Sequence, residues 1–128
     1  MPQTACEYDP VTKVLVVDDD PVIVRLLRVN FEMEGYVVAT AADGIEGLAA
    51  VRSNRPDIVV SDVMMPKLDG LGLAAALKAD PALAAIPIIL LSAKAQNADV
   101  DAGLKVADDY VTKPFDPLEL LDRVAALI

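Results

Sequence analysis

The chain has 128 residues, 55% of them hydrophobic and 24% charged, and its formal net charge is −9. That length fits one domain able to bury roughly two-thirds of its unfolded surface, and the negative charge argues against direct nucleic-acid binding, which needs clustered Lys and Arg. A single cysteine, Cys6, and the absence of histidine exclude an intrachain disulfide and a Cys/His metal site.

Residues 1–12 are polar and read as a flexible N-terminal extension, with Cys6 as an incidental thiol; residues 13–128 read as the folded domain. MPQTACEYDP has neither a basic start nor an apolar centre, so no leader or membrane span is expected, and the expected location is cytoplasmic. KVLVVD (13–18) is a short β-branched run of the kind buried on both faces of a sheet. Asp20-Pro21 then starts a helix, with Asp as N-cap and Pro in the first turn. Its apolar stripe is expected at Ile23, Leu26, Leu27 and Phe31, and Gly35 ends it.

YVVATA (36–41) reads as the second strand. Asp43 to Arg52 reads as the second helix, with Ile45, Leu48, Ala49 and Val51 facing inward. After Pro56 comes the strand DIVVSD (57–62), then the loop MMPKLDG and a helix from Leu71 to Lys78, weakened by Gly72. PIILLS (87–92) is the fourth strand, Ala98 to Lys105 the fourth helix, and DYVTK (109–113) the fifth strand. Asp116-Pro117 caps a last helix with Leu118, Leu121, Val124 and Leu127 turned inward. Alternating βα units imply right-handed crossovers and a parallel sheet with helices on both faces, an α/β fold. Ligands of such sheets sit beyond the carboxyl ends of the strands.

Asp18, Asp62, Ser92 and Lys113 all fall at those ends, with Asp19 next to Asp18. Crowded carboxylates raise each other's pKa unless a cation pairs with them. Mg²⁺ suits such a set, because it takes oxygen ligands and completes its shell with water and phosphate oxygens. Asp20, by contrast, is read as a helix cap. Between the acidic pair and the lysine, Asp62 is a candidate nucleophile, since a carboxylate can attack phosphorus to form an acyl phosphate. Lys113 would offset phosphoryl charge, and Ser92 would donate a hydrogen bond to a phosphoryl oxygen. On the residues alone, Tyr110 is an amphipathic aromatic of an edge strand.

This set, in this order, resembles the receiver domain of two-component response regulators from Lys13 to the C-terminus. The resemblance implies a flavodoxin-like (βα)5 sandwich with strand order 2-1-3-4-5. It assigns the phosphoacceptor to Asp62 and the metal ligands to Asp18, Asp19, Asp62 and the Met64 backbone carbonyl. Asp19 is then the more direct ligand of the acidic pair. It also makes Ser92 and Tyr110 a switch pair, the Lys113-Pro114 bond cis, and Met64 and Lys94 neighbours of the attacking water. One departure is Val106, where the family commonly carries glycine; the fourth helix is therefore expected to end differently.

The implied function is a phospho-accepting module in a phosphorelay, with no other cofactor. Without histidine it needs an external donor: a sensor histidine kinase, a histidine phosphotransfer protein or a small acyl phosphate. It would catalyse only its own phosphorylation and dephosphorylation, so it is not a conventional enzyme. Output to a protein partner or a second copy is expected through helix 4, strand 5 and helix 5. Neither a nucleic acid nor a membrane is an expected partner. A stand-alone regulator is slightly preferred over a piece of a transcription factor. Two alternatives are a receiver-like interaction module that no longer phosphorylates and a Mg²⁺-dependent aspartyl phosphohydrolase. The second lacks its usual second aspartate, because Met64 stands two positions after Asp62. Neither G-x-G-x-x-G nor a P-loop follows the first strand, which excludes those nucleotide sites.

Overall fold

The computed structural model describes residues 12–93 and 97–128, with the backbone alone at 97 and 98. Cys6, Lys94 and the extension up to residue 11 lie outside the described residues. Five strands alternate with five helices: β1 (Lys13–Val17), α1 (Pro21–Met33), β2 (Val37–Ala41), α2 (Gly44–Ser53), β3 (Ile58–Asp62), α3 (Gly70–Ala79), β4 (Ile88–Ser92), α4 (Asn97–Leu104), β5 (Asp109–Thr112) and α5 (Pro117–Leu127). The strands form one parallel sheet in the order β2-β1-β3-β4-β5, as the resemblance implied.

Burial follows position in that order. The inner strands β3 and β4 are buried at every residue, whereas the edge strand β2 exposes Val37, Ala39 and Thr40. Because successive strand residues point to opposite faces, the apolar runs feed two cores. Leu15, Val17, Val59, Ile88, Leu90 and Tyr110 pack under α2, α3 and α4. Val14, Val16, Ile58, Val60, Ile89, Leu91 and Val111 pack under α1 and α5. Each fully buried Leu, Ile or Phe contributes about 1.5–3 kcal/mol.

Helix starts match the expected chemistry. Asp20 and Asp116 accept hydrogen bonds from Val22 N and Leu118 N, each at 2.9 Å, with Pro in the first turn of each helix. α3 begins earlier than the apolar pattern indicated, because Asp69 caps it by accepting from Gly72 N at 2.7 Å. Several inward assignments are corrected. Leu26, Ile45 and Leu118 are 40%, 55% and 67% exposed, and Ala49 is exposed as well. In α1 the buried contacts come from Leu27 and Phe31, and in α5 from Leu120, Leu121 and Val124. α1 carries apolar residues around much of its circumference, so composition alone does not select the buried face.

Lys113-Pro114 is cis. Among the described residues, Lys67 is the one non-glycine residue at positive φ, so Val106 stays out of the left-handed region. α4 instead ends with the Val106 and Ala107 amides both donating to Gly103 O, at 3.1 and 2.9 Å. No helix among the described residues is long and apolar enough to cross a membrane.

Candidate functional site

Two strand ends, those of β1 and β3, bring the three carboxylates together. Asp18 follows β1 and is fixed there by donation of its amide to Ala41 O at 3.1 Å. Its side chain turns back to accept from Asp20 N at 2.9 Å. Asp62 is the last residue of β3, held in register opposite Leu91 of β4. Asp18, Asp19 and Asp62 each offer an oxygen, and these atoms lie within 4.8 Å of one another. Asp18 and Asp62 are buried and Asp19 is exposed.

Lys113, just past β5, reaches across two of them. Its Nζ is 3.4 Å from Asp18 Oδ2 and 3.3 Å from Asp62 Oδ1. The lysine is anchored through its own amide, which donates to Ser92 O at 2.8 Å. Ser92 itself is fully buried at the end of β4. Burial pushes the Asp18 carboxyl above its usual range, against the lowering hydrogen bond from Asp20, and the nearby Asp62 charge adds to the rise. Lys113 pulls the other way. Among the described residues one ammonium, that of Lys113, is paired with this set of three carboxylates, and an all-oxygen set of this spacing suits a hard divalent cation.

Met64 follows two residues after Asp62, and its side chain is 58% exposed beside the cluster's loop. Tyr110 is buried, at 8% exposure, in the core shared with α4. A cleft of about 430 Å³ opens beside the acidic pair, with Asp18, Asp19, Arg25, Arg28 and Glu46 on its walls.

A brace behind Asp62 was not foreseen from the sequence. Gly70 donates to Val63 O at 2.9 Å, and a Cβ there would sit 2.9 Å from Val63 Cα and 3.0 Å from Asp62 C. The start of α3 therefore lies directly on the backbone of Asp62 and Val63. Gly44 at the start of α2 donates to Leu68 O at 3.0 Å. Next to it, buried Asp43 pairs with Lys67 at 3.7 Å. The loop between β3 and α3 is thus fastened at both ends. The available signal was the repeated Asp-Gly pair, 43–44 and 69–70: in each, the aspartate caps a helix and the glycine permits close approach.

Residues 14–125 match the family described as the response regulator receiver domain. The chain is 46% identical over 117 residues to the alkaline phosphatase synthesis transcriptional regulatory protein PhoP of Bacillus subtilis (strain 168), a match covering 91% of this chain and 48% of that protein. It is 44% identical over 115 residues to the DNA-binding response regulator MtrA of Mycolicibacterium smegmatis, covering 89% and 49%. The chain thus spans about half the length of these relatives. Among solved structures, the chemotaxis response regulator CheY4 of Vibrio cholerae superposes with a TM-score of 0.87 at 32% identity, covering 93% of this chain and all of that one. The receiver domain of the Francisella response regulator 1452 gives 0.85 at 41% identity, covering 91% and 95%. The five-stranded fold, the clustered aspartates and these matches place the chain in the response regulator receiver domain family, the phospho-accepting modules of two-component systems.

Proposed function

We propose that Asp62 is the phosphoacceptor and that Asp18, Asp19, Asp62 and the Met64 carbonyl hold Mg²⁺ beside it. The observation that carries this reading is the convergence of three carboxylates within 4.8 Å, with Lys113 bridging two of them. When bound, Mg²⁺ would neutralise part of the charge on the phosphoryl oxygens. An Asp62 carboxylate oxygen attacks the donor phosphorus, and the donor's P–N or P–O bond breaks. The leaving imidazole or carboxylate keeps that electron pair. Lys113, already 3.3 Å from Asp62, offsets charge on the transferred group. Water later attacks the phosphorus, which returns Asp62 and inorganic phosphate. The domain catalyses these two steps on itself and turns over no separate substrate.

The donor is a sensor histidine kinase, a histidine phosphotransfer protein or a small acyl phosphate, since the chain has no histidine of its own. Ser92 and Tyr110 form the switch, and the output face is α4, β5 and α5. There Arg123 of α5 donates to Asp109 of β5 at 2.8 and 2.9 Å, a link between the two elements. The occupant of that face is a downstream protein or a second copy of the chain. A net charge of −9 argues against DNA contact by these residues. Relatives named as DNA-binding regulators are about twice as long as the matched region. The phosphohydrolase alternative is not favoured, because the position two after Asp62 is Met64, with no carboxylate to act as acid or base.

The test is incubation with Mg²⁺ and acetyl phosphate, followed by intact mass. One added phosphoryl group in the parent protein and none in Asp62→Asn is the expected result. No adduct in the parent protein would overturn the reading in favour of an inert module, and steady release of phosphate without an adduct would favour a hydrolase.

A further inference from the structure

Gly103 lies on the buried side of α4, over Leu90 and Tyr110, which are direct cross-strand neighbours in β4 and β5. A Cβ built at Gly103 would come 2.7 Å from Tyr110 Cε2, nearer still to Cδ2, and 3.5 Å from Leu90 Cδ1. Atoms do not pack at the first two separations, so no side chain at 103 is compatible with the ring where it stands. The backbone does not ask for glycine here, because Gly35 is the glycine at positive φ among the described residues. Glycine also weakens a helix. What it contributes at 103 is the absence of a side chain, and the ring edge fills that absence. A cavity of about 60 Å³, bordered by Val63, Leu71, Asp99, Ala102 and Tyr110, lies alongside. The ring is therefore seated in a notch of α4 with some room beside it, rather than locked on every side.

We propose that Gly103 is a positioning residue for the Tyr110 switch: its missing side chain seats the ring in the buried position, and filling the notch biases the output face toward the ring-out state. The inference rests on the reading of Ser92 and Tyr110 as a switch pair. It adds that α4, through one residue, sets the resting balance of that switch. If the phosphoryl group favours the seated ring, linkage requires that unseating the ring weaken binding of the phosphoryl group by the same factor.

The experiment uses the full chain with ring-labelled tyrosine, its Tyr110 resonance identified by loss in Tyr110→Phe. Without any phosphoryl analogue, Gly103→Ala should move that resonance toward a solvent-exposed environment. With Mg²⁺ present, the affinity for beryllofluoride should fall about fivefold or more, the lower end of ordinary coupling between sites. In a Tyr110→Ala background the same glycine substitution should leave that affinity unchanged, because the displaced ring is gone. An unmoved resonance in Gly103→Ala, or an equal loss of affinity in both backgrounds, overturns the proposal. Should Gly103→Ala unfold the domain, adding Tyr110→Ala should restore folding; a double variant that stays unfolded overturns it too. Failure of the parent protein to bind beryllofluoride would defeat the phosphoacceptor reading instead, and the resonance would still decide the notch.

Discussion

Mg²⁺ should raise the melting temperature of the metal-free protein, and Asp19→Asn should abolish that response. Asp18, Asp19 and Asp62 offer oxygens within 4.8 Å of one another, and among the described residues Lys113 is the cation paired with them. Two unit charges at that spacing repel by roughly 3 kcal/mol at an effective dielectric of about 20. Asp19 is exposed, so water and salt screen its share to about 1 kcal/mol. Removing its charge should therefore raise the metal-free melting temperature by a few degrees. A divalent cation turns the repulsion into attraction. At a hundredfold excess over Kd, linkage contributes about 2.7 kcal/mol. For a domain of this size that is a rise of roughly 8–13 °C. Circular dichroism melts with MgCl₂, against NaCl at equal ionic strength, separate the site from general screening. A parent melt that does not move at saturating Mg²⁺, or an Asp19→Asn variant that still responds, would refute the reasoning.

Other substitutions probe the frame around the site. Lys113→Ala removes the cation paired with two buried carboxylates, so the metal-free protein should lose about 2 kcal/mol by urea unfolding. Its acetyl phosphate labelling should fall at least about tenfold. Gly70→Ala places a Cβ against the Asp62 and Val63 backbone, which cannot swing aside as a side chain can, and should cost about 2 kcal/mol or more. Gly35→Ala meets nothing within 4 Å but keeps φ at +92°, so about 1 kcal/mol is expected for backbone strain alone. Asp116→Ala loses the cap to Leu118 N and should cost about 1 kcal/mol. Urea midpoints check all three, and a Gly70→Ala effect no larger than that of Gly35→Ala would contradict the close-approach account.

The strand ends were legible because both ingredients are local in sequence. A β-branched run buried on two faces marks the strand, and the first polar residue at its end marks the carboxyl edge of the sheet. That places Asp18, Asp62, Ser92 and Lys113 on one rim before any contact is known. The helix caps at Asp20 and Asp116 were legible for the same reason, each carrying its own Pro signal. The buried faces of α1, α2 and α5 were less so. Leu26, Ile45 and Leu118 are apolar yet exposed, and only the partner surface decides which apolar stripe is covered. The close approach of Gly103 to the Tyr110 ring was invisible as well. A glycine in a short helix reads as a weak former until Tyr110 is found against it. The brace from Asp43 and Gly44 to Lys67 and Leu68 joins residues more than twenty positions apart, a pairing that no spacing rule encodes.

An acyl phosphate on Asp62 has a direct chemical signature. Borohydride reduction of the acetyl-phosphate-treated protein converts an aspartyl phosphate to homoserine, and peptide mapping then locates the change. Homoserine is expected at position 62, dependent on Mg²⁺ and absent when Asp62 is asparagine. Homoserine at position 18 or 19 instead, or a stable phosphoryl adduct that yields no homoserine, would contradict Asp62 as the phosphoacceptor.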